Sequence, residues 1–280
     1  MLPRYEASPD YYEHVAGGYD RMVSSYDLVE GRNEISERVR ASTLRAASRL
    51  FHAGDRILEL GCGTGRDALA LAKLGVHVVA TDLSPEMVRL TASRVKEAGL
   101  EEKVTSLTMS AADAAELDGP FDGAYSNGAV LNLEPDLARV GRGLARGIRP
   151  GGFAILTAAN RVSLFELAVY PLALRPRKAF RKLGGSVPIP ISREGFGRRY
   201  VVPTRFLTPV EFRRSIGDGF EVETLRGLQV LTPPWNFVDV ARRLQGAVTP
   251  LTRLEDTVGL WPGIRNLGAI YLYVLRRASG

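Results

Sequence analysis

The chain alternates between short apolar runs and longer segments in which apolar residues recur at helical spacing. The runs typical of buried strands lie at 56–62, 77–84, 103–113, 121–131 and 153–160. The segments between them predict helices, for example at 66–75, 85–99 and 134–148. Strands that alternate with helices predict a parallel sheet covered on both faces, and such sheets bind ligands beyond the carboxyl ends of their strands.

The alternation stops at residue 161. Residues 161–205 are basic, carry several prolines and are partly amphipathic, whereas 207–225 again predict a helix and a strand, and 267–277 a final strand. The longest apolar stretch, 162–174, is too short to span a bilayer and contains Glu166 and Pro171. Because the N-terminus also lacks the apolar region of a targeting peptide, we expect a cytoplasmic protein.

The cysteine and histidine content excludes several kinds of site. The single cysteine, Cys62, excludes an internal disulfide and a cysteine-based zinc site, and three histidines far apart at 14, 52 and 77 predict no metal centre. The net charge of +6 suits solubility, with an anionic partner as the alternative. Aromatic residues are not interleaved with a basic groove pattern, so we expect no nucleic-acid partner.

A glycine cluster follows the first predicted strand, at Gly61, Gly63 and Gly65. A nucleoside-triphosphate loop would end in Gly-Lys-Ser/Thr, but Arg66 and Asp67 follow here. A dinucleotide turn would place its third glycine where Arg66 stands, and Asp67 would bring a negative charge close to the pyrophosphate. A small ligand with a carboxylate fits better, because backbone N–H groups at the start of a helix bind carboxylates.

Acidic residues near the ends of the first three strands indicate further chemical groups of this ligand. Glu59 is placed to pair with an ammonium group, Asp82 to accept hydrogen bonds from two ribose hydroxyls, and Asp113 to accept from the exocyclic amine of a purine. An amino acid, a ribose and an adenine together describe S-adenosylmethionine. Alternatively, Asp82 caps a helix and Asp113 is a solvated loop residue.

Five motifs in order, "ILELGCGTG", "VVATDLS", "SAAD", "FDGAYSNGAVLNL" and "IRPGG", resemble those of class I S-adenosylmethionine-dependent methyltransferases. The resemblance covers about residues 56–156. It implies a Rossmann-like three-layer α/β/α sandwich, whose seven-stranded, mostly parallel sheet has an antiparallel last strand, with S-adenosylmethionine as cofactor. The implied cofactor-binding residues are Tyr19, Glu59, Gly61, Cys62, Gly63, Gly65, Asp82, Leu83, Met87, Ala112, Asp113, Asn127 and Gly128. For Cys62 and Tyr19, an ordinary place in the core is the alternative.

We interpret residues 1–280 as a single methyltransferase domain. Within it, 1–50 form an N-terminal helical lid, 51–160 the cofactor-binding core, 161–206 a substrate-lid insertion and 207–280 the rest of the core sheet. The expected reaction is in-line transfer of a methyl group to a small, apolar acceptor, such as a lipid, a quinone or a polyketide, with transfer to oxygen favoured. The alternatives are an RNA or protein methyltransferase, an NAD(P)-dependent oxidoreductase, and a regulatory protein that binds the cofactor without catalysis.

The residues that would receive a proton from the acceptor are less evident. Many relatives carry a histidine pair where this chain has Leu131 and Asn132, so His14 in the N-terminal segment becomes the candidate base and Asn132 a residue that orients the acceptor. The insertion is expected to pack its apolar side on the core. The alternative is peripheral contact of 161–182 with an anionic membrane, where apolar residues enter the lipid and basic ones meet headgroups.

Overall fold

The computed structural model describes residues 2–30, 33–191, 200–243 and 245–279. The strands are β1 (Arg56–Leu60), β2 (His77–Asp82), β3 (Val104–Thr108), β4 (Phe121–Ser126), β5 (Ile148–Ala159), β6 (Ser186–Pro190), β7 (Val201–Arg205), β8 (Phe220–Leu228) and β9 (Ile270–Arg277). The helices are α1 (Pro9–Asp20), α2 (Val23–Glu30), α3 (Glu34–Leu50), α4 (Arg66–Lys73), α5 (Pro85–Glu97), α6 (Ala111–Ala114), α7 (Leu137–Gly147), α8 (Leu164–Leu172), α9 (Pro176–Ala179), α10 (Pro209–Ile216), α11 (Val238–Arg243) and α12 (Gln245–Val258).

Seven strands form one sheet in the order β3-β2-β1-β4-β5-β9-β8. The first five of these strands are parallel to one another, and β9 runs antiparallel to both β5 and β8. The predicted sheet with its antiparallel last strand is therefore confirmed. The order reverses beside β1, and this switch point is where parallel α/β sheets open a crevice for a ligand.

Helices cover both faces of the sheet, as its buried strands require. On one face α6, α7 and α10 pack against the strands through a core that includes Val140, Leu144 and Phe212. On the other face α3, α4 and α5 pack through a core that includes Leu71 and Val95. The two cores make the three-layer sandwich rigid, and the strand ends between them carry the candidate site.

Two predicted strands are shorter in the structure. β3 ends at Thr108, because the Ser110 hydroxyl accepts the N–H of Asp113 at 3.1 Å and starts α6. β4 ends at Ser126, since Gly128 and Ala129 have φ values of 76° and 62°, which extended strands do not adopt. Both changes turn the chain away from the sheet at its carboxyl edge.

The N-terminal helices and the insertion pack against each other. The Tyr11 hydroxyl of α1 donates to the carbonyls of Leu133 at 2.7 Å and of Pro203, in β7, at 3.1 Å. The hairpin β6–β7, which the sequence pattern did not predict, thereby rests on α1. Of the insertion's apolar residues, Phe165 and Tyr170 contact Phe237.

The expectation that the apolar side of the insertion packs on the core is wrong for its middle part. Leu172 is 84% exposed and Leu174 is 90% exposed. Leu172 ends α8 and Leu174 lies in the turn that follows it, and because both face solvent they contribute little to the core. Among the described residues, no helix combines the length and apolar character needed to cross a membrane.

Candidate functional site

The loop between β1 and α4 is built on three glycines in the left-handed region, with φ values of 76° at Gly61, 53° at Gly63 and 79° at Gly65. A Cβ at Gly61 would lie 2.3 Å from the Val130 side chain, and one at Gly65 would lie 2.8 Å from Thr91. At Gly63, by contrast, a Cβ would meet no atom of the described residues within 4 Å, apart from the two chain neighbours. The loop backbone is therefore packed at both ends and open to a ligand at its centre.

Hydrogen bonds hold this loop against the end of β2. The N–H groups of Gly61 and Cys62 both donate to the Thr81 carbonyl at 2.8 Å. The Asp82 carboxylate accepts the N–H of Gly63 at 2.8 Å and that of Ser84 at 2.9 Å. Burial raises the pKa of Asp82, and these backbone hydrogen bonds oppose the rise. Asp82 thus lies at the carboxyl edge of the sheet, beside the open glycine.

Glu59 is buried in β1 with only 2% of its surface exposed. Its Oε2 atom has no hydrogen-bond partner within the part of the chain that the structure describes. Burial, followed by the charges of Asp67 and Asp82, holds the pKa of Glu59 well above its usual range. A buried, unpaired carboxyl group next to two other acids is unfavourable alone, and a cationic ligand would compensate it.

Asp67, in the first turn of α4, connects three elements around the loop. It accepts hydrogen bonds from the Arg40 guanidinium, from the Tyr125 hydroxyl at 3.0 Å and from the Asn127 amide at 3.1 Å. The Asn127 carbonyl oxygen accepts in turn from Thr157 at 3.3 Å. Asn127 is therefore fixed at the end of β4, next to the exposed Gly128.

Five further residues predicted to bind the cofactor lie in the described structure: Tyr19, Leu83, Met87, Ala112 and Asp113. Leu83 and Tyr19 both pack on one apolar cluster, centred on Tyr11 and Val202. Ala112 is fully buried, and its N–H donates to Glu134 at 3.2 Å. The Asp113 side chain is about half exposed and forms an ion pair of 2.9 Å with Arg139. Met87 is buried in α5, at 1% exposure.

The N-terminal helices are linked to the loop by two acids that the sequence did not single out. Asp20, at the end of α1, accepts the Ser84 hydroxyl at 2.5 Å. Asp27, in α2, accepts the Thr64 hydroxyl of the glycine loop at 2.7 Å and forms an ion pair with Arg94. Both lie within the predicted N-terminal helical lid 1–50, but sequence alone does not show which residue an acid on a helix contacts.

The two predicted catalytic residues are engaged elsewhere. His14 lies with its Nε2 2.8 Å from the Val201 carbonyl and its Nδ1 3.1 Å from the Tyr200 hydroxyl, so its ring joins α1 to β7. The Asn132 amide donates to the carbonyls of Ala159 and Arg205 and accepts the N–H of Ala159. Their catalytic roles stay predictions, and their bonds tie the lid segments together.

Cys62 is buried, and burial raises the pKa of its thiol well above the usual value. This keeps the thiol protonated and makes it a weak nucleophile. No group of three or more His, Cys, Asp or Glu side chains suited to a metal occurs in the described ranges.

Gln229 is a further residue that sequence reasoning missed. It follows β8, whose last residue Leu228 pairs with Ile270, which in turn pairs with Ala159 at the carboxyl end of β5. Gln229 is 4% exposed, has a φ of 57°, and neither polar atom of its amide has a partner among the described residues. A buried, unpaired amide on a strained backbone is costly, and such features cluster at functional sites.

Comparisons with known proteins show a methyltransferase domain within the chain. A family model described as "Methyltransferase domain" matches residues 57–152. The ubiquinone biosynthesis O-methyltransferase of Xanthomonas oryzae pv. oryzae is 37% identical over 137 residues, which are 47% of this chain and 56% of that protein. Its counterpart from Xanthomonas axonopodis pv. citri is 38% identical over 125 residues, 44% of this chain and 51% of that protein. The chain thus spans about half the length of the curated relatives it matches.

Solved structures extend the likeness to the whole chain. The 4+2 cyclase SpnF superposes with a TM-score of 0.64 at 19% identity, covering 100% of this chain and 99% of that one. The geranyl diphosphate C-methyltransferase of Streptomyces coelicolor A3(2), in complex with S-adenosyl-L-homocysteine, superposes with a TM-score of 0.61 at 17% identity, covering 97% and 98%. The sheet order and the family model agree that residues 57–152 form a methyltransferase domain of the class I type, whose cofactor is S-adenosylmethionine.

Proposed function

We propose that this protein transfers a methyl group to an oxygen atom of a small molecule with a lipophilic body. The observation that carries the proposal is the unpaired, buried Glu59 beside a glycine loop that is open at Gly63. The partly matching relatives named as ubiquinone biosynthesis O-methyltransferases favour oxygen and a lipophilic acceptor.

The residues at the carboxyl edge fit the parts of the cofactor. The amino-acid portion would lie along Gly61, Cys62, Gly63 and Gly65, with its ammonium group toward Glu59, whose free Oε2 suits a cation. Asp82 would accept the ribose hydroxyls beside its bond to Gly63. Leu83, Met87 and Ala112 would flank the adenine, with Asp113 toward its exocyclic amine. Asn127 and Gly128 would lie on the side that faces the acceptor.

The bound cofactor supplies an electrophilic methyl carbon with a good leaving group. The protein's contribution is therefore to hold the acceptor in line and to exclude water. We propose that the N-terminal segment 1–50 does the latter, because Asp20 and Asp27 attach its helices α1 and α2 beside the loop and Tyr19 packs on the same apolar cluster as Leu83. Burial raises the pKa values of Tyr5, Tyr11 and Tyr12, so these phenols stay protonated and donate across the lid.

The acceptor would bind between the end of β5 and the described parts of the insertion, 161–191 and 200–206. We propose that the Gln229 amide, which is buried at that edge without a partner, forms hydrogen bonds with the polar end of the acceptor. His14 and Asn132 would shape this space by holding α1, β5 and β7 together. Because their polar atoms are already bonded, we favour positioning roles for both.

The test begins with the cofactor. We expect calorimetry to show binding of S-adenosylhomocysteine and none of NADH, and the reverse result would support an oxidoreductase. Transfer of a labelled methyl group to fractionated small-molecule and lipid extracts should then label a hydroxylated, lipid-soluble compound. Label in RNA or protein would contradict the proposed acceptor. Cofactor binding without transfer to any fraction would contradict methyl transfer, an outcome that fold alone does not exclude, since one structural neighbour is a cyclase.

A further inference from the structure

We propose that residues 172–183 form a docking surface for an anionic lipid bilayer. This stretch, called here the lipid-docking surface, lies in the insertion between α8 and β6. This proposal goes beyond methyl transfer, because lipid binding needs neither cofactor nor acceptor. Binding to a bilayer would nevertheless bring the enzyme close to a lipophilic acceptor.

Large apolar side chains of this surface face solvent instead of the core. Leu172 and Leu174 are 84% and 90% exposed, and Phe180 and Leu183 are 55% and 51% exposed. Leu174 also has a φ of 56°, a conformation that leucine rarely adopts. Four exposed side chains of this size within twelve residues are costly in water, and they suit insertion at the boundary of headgroups and acyl chains.

Basic side chains alternate with the apolar ones. Arg175, Arg177, Lys178 and Arg181 are all exposed. Acidic residues are absent from 172–183, so this positive charge is not neutralised within the surface. Apolar residues that enter lipid, beside cations that meet phosphate headgroups, indicate an anionic bilayer as the partner. A second copy of this chain would repeat the same positive charge, which disfavours self-association through this face.

A buried ion pair holds the surface in place. The Lys182 ammonium lies 2.7 Å from the Glu166 carboxylate of α8, both side chains are at most 10% exposed, and Lys182 also lies 5.0 Å from the Phe206 ring. Ala179 is buried as well, whereas the neighbouring Phe180, Arg181 and Leu183 are exposed. The exposed face is thus set by the fold of α8 and α9.

The test measures sedimentation of the full chain with vesicles. With vesicles of equal parts phosphatidylglycerol and phosphatidylcholine at low salt, we expect binding that falls as salt is raised and is absent with pure phosphatidylcholine. Changing Arg175, Arg177, Lys178 and Arg181 to Gln should weaken the partition coefficient by about six hundredfold, since each basic residue near such a surface contributes about fivefold. Leu172→Gln with Leu174→Asn should weaken it at least about tenfold.

A matched control distinguishes an effect of this surface on vesicle binding from an effect of the protein's net charge. Arg45, Arg49, Lys73 and Lys96 are also exposed, and changing these four to Gln lowers the formal net charge of +6 by the same four charges. We expect the control to bind vesicles almost as the unchanged protein does. S-adenosylhomocysteine affinity, unchanged in every variant, would show that each is folded.

Three outcomes would overturn the proposal. They are no sedimentation with anionic vesicles at low salt, equal loss of binding in the control, and dimerisation abolished by the Leu172 and Leu174 changes without any vesicle binding. None of these results bears on methyl transfer, so the two proposals fail separately.

Discussion

The carboxylate of Asp82 accepts the backbone N–H of Gly63 at 2.8 Å, which joins the end of β2 to the open centre of the glycine loop. Its other oxygen accepts from Ser84, the residue that caps α5. One side chain thus holds both the loop and the residue that begins α5. The alternative that Asp82 itself caps the helix is wrong, because the Ser84 hydroxyl accepts the N–H of Met87. The contact of Asp82 with the ribose stays a prediction.

Replacing Asp82 by Ala should weaken S-adenosylhomocysteine binding by roughly tenfold to a hundredfold, because hydrogen bonds to a charged group are worth about 1.5–3 kcal/mol. Calorimetry measures the affinity directly. Asp118→Ala, which removes an exposed acid before β4, is the matched control and should bind normally. Unchanged affinity in Asp82→Ala would contradict the cofactor site.

The sheet could be predicted from the sequence because the strands are continuous apolar runs bounded by glycines and polar residues. The positions of the glycine loop and of Asp82 could also be predicted, because they lie at the carboxyl ends of neighbouring parallel strands, which meet at one edge of the sheet. Chain order alone places these residues close together.

The lid could not be predicted in the same detail. The bonds of Asp27 to Thr64 and of His14 to Val201 join residues that are distant in sequence, and helical periodicity does not encode such partners. The sequence did not indicate Gln229, because only the structure shows that its amide is buried without a partner among the described residues. The exposed Leu172 and Leu174 also contradict a pattern that usually means burial.

Glu59→Gln should have opposite effects on stability and on cofactor binding. In the free protein the pKa of Glu59 is raised, so its ionisation destabilises the fold increasingly as pH rises above the unfolded value of 4.5. The variant should therefore melt at a higher temperature than the unchanged protein at pH 8 and at a similar temperature at pH 4. Cofactor affinity should fall by about tenfold or more, because an amide cannot neutralise an ammonium group.

The same group predicts a proton linkage. If a cationic ligand lowers the pKa of Glu59, binding releases a proton, and affinity rises with pH between the pKa values of the bound and free forms. Calorimetry in two buffers of different ionisation enthalpy measures this release. It should be reduced in Glu59→Gln, and equal proton release in both proteins would exclude Glu59 as its source.

Asp27→Ala should speed dissociation of the cofactor. The change removes the bond to Thr64 in the glycine loop and the ion pair with Arg94, which together hold α2 over the loop. We expect S-adenosylhomocysteine to dissociate about fivefold to tenfold faster in stopped-flow measurements, with a smaller change in association. Glu13→Ala, an exposed change on α1, is the control. Equal rates in both variants would show that α2 does not restrain the ligand.

Gln229→Met should raise stability while lowering turnover. Methionine has a similar volume but no polar atoms, so the change removes a buried amide that lacks partners and should stabilise the free protein by about 1–3 kcal/mol. The acceptor's polar end would lose its hydrogen bonds, so kcat/KM should fall at least about tenfold while S-adenosylhomocysteine affinity stays the same.

Tyr271→Phe is the matched control, because its buried hydroxyl is also unpaired among the described residues but its ring packs against Phe212 in the core. That variant should gain stability and keep full turnover with the acceptor found by labelled transfer. A Gln229→Met protein that is more stable and equally active would show that the amide does not contact the acceptor.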